Sequence, residues 1–218
     1  MVAPAGAVPG AAVRRESGRK GGVMAKGKEV LVIAAVVLAP LVAAAEERVL
    51  TLQPEKTSVT FTVRATVHDV DGVLALDSGQ IRFDPDTGSA SGQVTLDLRR
   101  AQTGNRLRDR EMRQNVFETE RFPLVVFRPS RIHGTLLPSA VSDILLVGVV
   151  VMHGTEHSFS LPVKARLDGG SVSAEAVFDI PYVAWGMRNP SLLLLRVAPA
   201  AAVTVKTEAR LRSEGGSR

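Results

Sequence analysis

Apolar and polar residues alternate with a period of two along most of the chain after Glu46. In the segment 59–63, Val59, Phe61 and Val63 are separated by threonines. Because successive side chains of a strand point to opposite faces, this period predicts strands that each carry one apolar face. The same alternation recurs at 81–83, 94–98, 159–163, 172–180 and 203–211.

Short clusters of Gly, Asp, Pro and Ser separate the alternating segments, and such clusters favour turns. The segment 144–152 is continuously apolar around Gly148, which is typical of a strand covered on both faces. Short strands at this spacing indicate a β-barrel or a β-sandwich, so we predict an all-β domain. The turn clusters lie at 71–72, 77–79, 84–88, 138–139 and 168–170.

The stretch 105–120 breaks the alternation, because it is rich in charge and its apolar residues fall near helical spacing. These apolar residues are Leu107, Met112, Val116 and Phe117. Asn105 precedes them, and asparagine is well suited to cap a helix N-terminus. We therefore predict a short amphipathic helix that begins near Asn105 and covers one end of the barrel.

The N-terminal part of the chain resembles a secretory leader. Lys26 and Lys28 precede an apolar run at 30–42, and three alanines at 43–45 provide a small-residue cleavage site. The run of about 13 residues is shorter than the roughly 20 that span a bilayer as a helix, although a buried or anchoring helix is the alternative. We predict a signal peptide at 24–45. It follows an unstructured extension at 1–23 that carries no fold information, and translation is expected to start at Met24.

The net charge of +5 belongs mostly to the leader region. Residues 1–45 hold a surplus of four positive charges, which leaves +1 for the remainder. A nearly neutral domain has no bulk electrostatic attraction to nucleic acid, so no nucleic-acid partner is expected. The chain has no cysteine, which excludes disulfides and thiolate chemistry.

The histidines and serines do not form a known catalytic pattern. His153 and His157 are four residues apart, but they flank Gly154-Thr155 between two strand-like segments, so a hairpin is favoured over a metal-binding helix. No serine lies in a G-x-S-x-G motif. A hydrolase or isomerase would need His68 or His153 to converge with carboxylates in a pocket. We therefore predict no enzyme activity, no metal and no cofactor.

Arg108 and Asp109 are adjacent charges in the predicted helix. They are interpreted either as a ligand-binding or catalytic pair or, preferably, as an ion pair that fixes the helix to the barrel. Tyr182 and Trp185 are the only Tyr and Trp of the chain, and they are expected either at a cavity mouth or in the core.

Several unlike residues recur at fixed spacing in the middle of the chain. They are Thr103-Gly104-Asn105, Arg108-Asp109, Met112, Phe117, Thr119-Glu120-Arg121-Phe122-Pro123 and Phe127-Arg128-Pro129-Ser130. The flanking residues are Leu52-Gln53-Pro54, Ser58-Val59-Thr60-Phe61, the segment 79–84, Gly148 and His153-Gly154-Thr155. Through these residues the chain, from about Val49 to Leu211, resembles the YceI-like family of periplasmic lipid-binding proteins.

The resemblance implies an eight-stranded antiparallel, lipocalin-like barrel at 46–213, with a short helix between strands and a flexible tail at 214–218. It implies that the barrel encloses a polyisoprenoid, such as an isoprenoid quinone or a prenyl phosphate, in the periplasm or outside the cell. Transient contact with a membrane surface and a homodimer are further expectations. The alternative is a filled barrel that acts as a stress-related interaction module. The expected ligand-binding residues are Phe61, Val63, Phe83, Leu96, Leu98, Asn105, Arg108, Met112, Phe117, Phe127, Tyr182 and Trp185.

Cleavage of the leader gives a direct test. The mass of the intact exported protein is expected to correspond to a chain that begins at Glu46, because cleavage follows Ala45. A mass that retains residues 24–45 would contradict the predicted signal peptide.

Overall fold

The alternating segments form antiparallel strands in the computed structural model, which describes residues 47–191 and 196–214. The predicted extension, the signal peptide and residues 215–218 of the predicted tail lie outside these described residues. The predicted domain end at 213 is close to the end of the last strand, Glu214. The strands are β1 (Glu47–Leu52), β2 (Ser58–Val63), β3 (Val70–Phe83), β4 (Ala90–Gln102), β5 (Leu124–His133), β6 (Val141–Met152), β7 (Thr155–Asp168), β8 (Ser171–Ile180) and β9 (Ala201–Glu214).

The sheet closes into a barrel because β9 pairs with β8 on one side and with both β1 and β2 on the other. β3 likewise pairs with β1, β2 and β4. β1 and β2 therefore occupy successive halves of one strand position, and the barrel has eight positions around its circumference. Every pairing between strands is antiparallel, which confirms the predicted eight-stranded antiparallel barrel.

A short 3-10 turn at Pro54–Lys56 separates β1 from β2. Proline has no backbone N–H to donate to a neighbouring strand, so pairing is interrupted there. The segment between β1 and β2 nevertheless stays attached to β9, because the Gln53 N–H donates to the Glu208 carbonyl at 3.1 Å. The hydroxyls of Thr57 and Thr207 also lie 2.6 Å apart. The first strand position is thus broken in pairing but held in place.

The strand connections leave the barrel at two opposite ends. The helix end consists of residues 64–69, 103–123, 153–154 and the described parts of 181–200. The loop end consists of residues 84–89, 134–140 and 169–170.

The β6–β7 connection confirms the predicted hairpin at the two histidines. Met152 pairs with Thr155, which leaves a two-residue turn of His153 (φ 51°) and Gly154 (φ 76°). Positive φ at both positions is the requirement of the tight turn that suits twisted hairpins. β6 itself differs from its prediction in one respect. Its outward residues are not covered, because a barrel wall has only one packed face, and Leu145 is 38% exposed.

The break in alternation is the predicted short helix, α1 (Arg106–Glu111), which continues into a π-helical turn at Met112–Val116. Asn105 caps α1 as predicted: its side-chain oxygen accepts hydrogen bonds from the N–H groups of Leu107 and Arg108 at 3.0 and 3.1 Å. Met112 and Val116 are buried, so the segment covers the helix end of the barrel with its apolar face.

The helix is fastened to β4 through Thr103. The Asp109 carboxylate accepts hydrogen bonds from the Thr103 N–H at 2.7 Å and the Thr103 hydroxyl at 2.6 Å. Arg108 donates to the Thr103 hydroxyl and carbonyl at 2.7 and 2.8 Å, and Arg113 donates to the Ala101 carbonyl at 2.9 Å. The preferred interpretation of Arg108 and Asp109 is therefore half right. Both fix the helix to the barrel, but through a shared threonine instead of a direct ion pair.

Burial is the largest influence on the pKa of Asp109 and raises it. The two hydrogen bonds from Thr103, together with the charges of Arg113 and Arg108, outweigh burial, so the pKa lies below its ordinary value. A carboxyl whose pKa is lowered on folding stabilises the protein above its unfolded pKa of about 3.9. That contribution is lost as the pH falls through the folded pKa.

Asp109→Asn is expected to lower the free energy of unfolding by about 1–3 kcal/mol at pH 7, since a charge-assisted hydrogen bond is lost in a buried position. The difference from the native protein is expected to shrink as the pH falls from about 4 through the lowered folded pKa, because the carboxyl of the unfolded chain is protonated first. Urea unfolding from pH 7 down to pH 3 measures both effects. Asp179→Asn, on an exposed strand position, is the matched control. An equal loss at every pH would contradict this role of the Asp109 charge.

Candidate ligand-binding cavity

The inward faces of the strands enclose an apolar cavity of about 490 Å³. Its lining extends from Arg48 and Ile132 near the loop end to Met112 and Tyr182 at the helix end. The lining follows from the alternation, because residues two apart on one strand share the inner face. On β7, for instance, Phe159, Leu161 and Val163 all line the cavity. The cavity is therefore an elongated apolar channel through the length of the barrel.

Nine of the twelve sequence-predicted ligand-binding residues line this cavity, and four strands, the helical segment with Phe117 and the β8–β9 connection contribute to the set. They are Phe61, Val63, Phe83, Leu96, Arg108, Met112, Phe117, Phe127 and Tyr182.

Three predicted residues lie elsewhere. Leu98 is 1% exposed and buried, but it is not part of the cavity lining. The side chain of Asn105 is engaged in capping α1. Trp185 stacks on His157, with ring centroids 4.1 Å apart and an angle of 5° between the rings. The stack packs beside the cluster of Val150, Met152 and Tyr182 instead of facing the cavity.

Most of the cavity wall is apolar, and a few polar groups interrupt it. Thr103, Arg108 and Glu111 line the cavity at the helix end, and Arg48 lines it near the loop end. Between the ends the polar lining residues are Thr57, Glu175 and Thr207. Part of the guanidinium of Arg108 is bound to Thr103, so this arginine is held in place at the margin of the cavity. The charge of Arg108 is thus available to an anionic or polar head group at the helix end.

Tyr182 presents its ring to the cavity but not its hydroxyl. The hydroxyl donates to the Ala198 carbonyl at 2.7 Å, and burial raises the pKa of the phenol. The phenol is therefore neutral at physiological pH, and its hydrogen bond joins the beginning and the end of the β8–β9 connection. In this arrangement the tyrosine acts as an apolar wall.

The four histidines are distributed outside the cavity lining. His68 and His133 are exposed, and His153 lies 3.3 Å from a carboxylate oxygen of Glu118 and packs against Phe122. His153 and Glu118 are a histidine–carboxylate contact, yet neither lines the cavity. Within 47–191 and 196–214, no three His, Cys, Asp or Glu side chains are grouped as a metal site would need. No helix in these same ranges is long and apolar enough to cross a membrane.

Many lining residues were missing from the sequence-predicted set, although the signal for them was present. Leu50, Leu74, Leu146 and Val205 occupy the apolar phase of their strands and line the cavity. Arg48 is in phase with Leu50, so the same alternation places it inward. The alternation identifies the inner face once the register of each strand is known.

The fold has relatives among solved structures. BcnA of Burkholderia cenocepacia is 16% identical, with a TM-score of 0.58 over 72% of this chain and 98% of that protein. A polyisoprenoid binding domain from Saccharophagus degradans, implicated in plant cell wall breakdown, is 14% identical. Its TM-score is 0.61 over 75% of this chain and 98% of that domain. At these identities the likeness concerns the fold.

Sequence comparison points to the same group of proteins. No curated protein matches the chain at a significant level. Residues 50–211 nevertheless match the sequence profile of the YceI-like domain, which covers most of the chain and nearly all of the barrel. The chain therefore belongs to the YceI-like family.

Proposed function

We propose that this protein binds a polyisoprenoid, such as an isoprenoid quinone or a prenyl phosphate, in its barrel. The observation that carries the proposal is the elongated, mostly apolar cavity of about 490 Å³ with Arg108 at its helix end. This shape suits a slender apolar tail with one polar head. The similar fold of the Saccharophagus degradans polyisoprenoid binding domain supports the same class of ligand. The cavity also counts against the alternative of a filled barrel.

The affinity for such a tail would come from enclosure. Burial of apolar groups contributes about 0.8 kcal/mol per CH₂, so a five-carbon isoprene unit contributes at most about 4 kcal/mol. Several units outweigh the entropic cost of association. No covalent step is needed, and the protein acts as a binder and not as an enzyme.

The head group is assigned to the helix end, where Thr103, Arg108 and Glu111 line the cavity. Arg108 supplies a fixed positive charge, and the half of its guanidinium that faces Thr103 is already bound. A phosphate or a quinone carbonyl can accept a hydrogen bond from the remaining N–H groups. The tail then extends along the apolar channel towards the loop end.

The biological role proposed here is transport, storage or sequestration of the lipid outside the cytoplasm. It rests on the predicted signal peptide at 24–45 together with the enclosing cavity. An apolar tail that crosses an aqueous compartment needs a carrier, because water does not solvate it.

The bound lipid is expected to co-purify. The full chain is expressed in a bacterium with its leader, purified without detergent, and analysed by native mass spectrometry and by extraction. Stoichiometric isoprenoid lipid is the expected result. An empty protein that also fails to bind added quinones and prenyl phosphates would exclude this function.

A variant that fills the cavity tests the binding site itself. Ala174 lines the cavity on β8, whereas its neighbour Ser173 is exposed. Ala174→Phe is expected to reduce quinone binding at least tenfold, since the ring occupies the volume of several CH₂ groups. The melting temperature is expected to stay near that of the native protein, because the ring enters existing space. Ser173→Phe is the matched control and should bind normally; equal binding by both variants would place the ligand elsewhere.

A further inference from the structure

The two ends of the barrel differ in charge. Over the described residues, the connections at the helix end carry eight arginines and five carboxylates. The connections at the loop end carry no Lys or Arg and two carboxylates, Asp84 and Asp86. The strand ends beside the loop-end connections carry both arginines and carboxylates, so the surplus of positive charge among the connections lies at the helix end.

Most of the arginines at the helix end have no acidic partner. Among the described residues, Arg64, Arg106, Arg110 and Arg188 are exposed, and none of them lies within ion-pair distance of a carboxylate. On the strands and the 3-10 turn, seven Lys and Arg side chains are paired with Asp or Glu. The exposed strand arginines outside these ion pairs, Arg100, Arg131, Arg210 and Arg212, are spread along the barrel wall. The positive charge at the helix end is therefore available to an external anion.

The two most exposed large hydrophobic side chains that the structure describes are also at the helix end. Leu107, in the first turn of α1, is 76% exposed, and Val67, in the β2–β3 connection, is 73% exposed. Both belong to one side of this end, because β2, β3 and β4 are consecutive neighbours and α1 directly follows β4. Val73, opposite Gln102 on the same side, is 47% exposed.

We propose that the helix end docks on an anionic phospholipid surface, with Leu107 and Val67 inserted among the lipids and the unpaired arginines against the head groups. Exposed apolar side chains flanked by arginine are the composition of interfacial membrane contacts. Each arginine near such a surface adds electrostatic attraction. The contact presents the end of the cavity that contains Arg108 to the membrane. This last point rests on the proposed function, since it makes the membrane the source or destination of the bound lipid.

The loop end has exposed hydrophobic residues too, but its connections offer no positive charge to this partner. Leu137 and Val141 are 48% and 61% exposed. The charged residues of the loop-end connections, Asp84 and Asp86, are both acidic and would be repelled by an anionic surface. The loop end therefore provides a control of similar apolar exposure whose connections lack arginine.

The docking face is tested by flotation of the full-length purified protein with vesicles. Vesicles of phosphatidylglycerol and phosphatidylcholine in equal parts are expected to bind the protein, whereas vesicles of phosphatidylcholine alone bind it weakly. Raised salt is expected to release it. Equal binding to both kinds of vesicle, or to neither, would overturn the proposal.

Paired substitutions locate the contact. Val67→Ser with Leu107→Gln is expected to weaken vesicle binding about tenfold or more, from the loss of inserted apolar area. Leu137→Gln with Val141→Ser, at the loop end, should leave it unchanged. Arg106→Gln and Arg110→Gln are each expected to weaken it about fivefold, and the corresponding lysine variants to retain it. An equal effect of the loop-end pair would overturn the assignment to the helix end.

Loading is measured separately with a long-chain isoprenoid quinone in detergent, without vesicles. Normal quinone loading without vesicle binding would contradict the proposed membrane docking and leave the proposed function intact. Normal vesicle binding without loading supports the docking face and contradicts the proposed function. In every variant above, quinone loading in detergent is expected to match the native protein, because none of the substituted residues lines the cavity.

Discussion

The pairing of β9 with β8 on one side and with the split first strand on the other is the constraint on which the structure depends. It closes the sheet, satisfies the backbone groups that an open edge would leave exposed, and turns one face of every strand towards a common axis. An apolar inner face then needs no second sheet or helix layer to cover it. The space along the axis is wider than the inward side chains fill, and the cavity is what remains.

The residues that most suggested chemistry hold the helix over this cavity. Thr103 is the centre of the arrangement, because its hydroxyl and backbone bind both Asp109 and Arg108. The side-chain oxygen of Asn105 accepts hydrogen bonds from the first N–H groups of the helix. Gly104 has a φ of 79°, which glycine adopts easily at the turn between strand and helix. The segment from Thr103 to Asp109 therefore holds the helix against the barrel. Within this segment, only Thr103 and Arg108 also line the cavity.

The sequence predicted the barrel, the helix and most of the inner face, because a period of two is a direct consequence of strand geometry. It could not show that Leu98 lies outside the cavity lining, because the alternation stops at that point. Between the pairs Ala75–Asp97 and Val73–Gln102, β3 advances two residues while β4 advances five. β4 therefore bulges, and Leu98 no longer follows the phase of Leu96. Such a bulge is set by the neighbouring strand and leaves no local pattern in the sequence. Of the two expectations for Trp185, the structure shows packing beside the core, and its stacking partner His157 lies in a different connection of the barrel, which the local sequence cannot indicate.

The pairing of the first strand with the last strand also limits when the barrel can be completed. Glu47 at the start of β1 pairs with Glu214 at the end of β9, so this seam joins the first and last residues of the fold. The hairpins from β3 to β8 can form from local contacts, but the seam forms only after the whole domain has been synthesised. Until then the first strand lacks one neighbour and the apolar inner face is open to water. The closed barrel, and with it the enclosed cavity, therefore cannot be complete before residue 214 has been added to the chain.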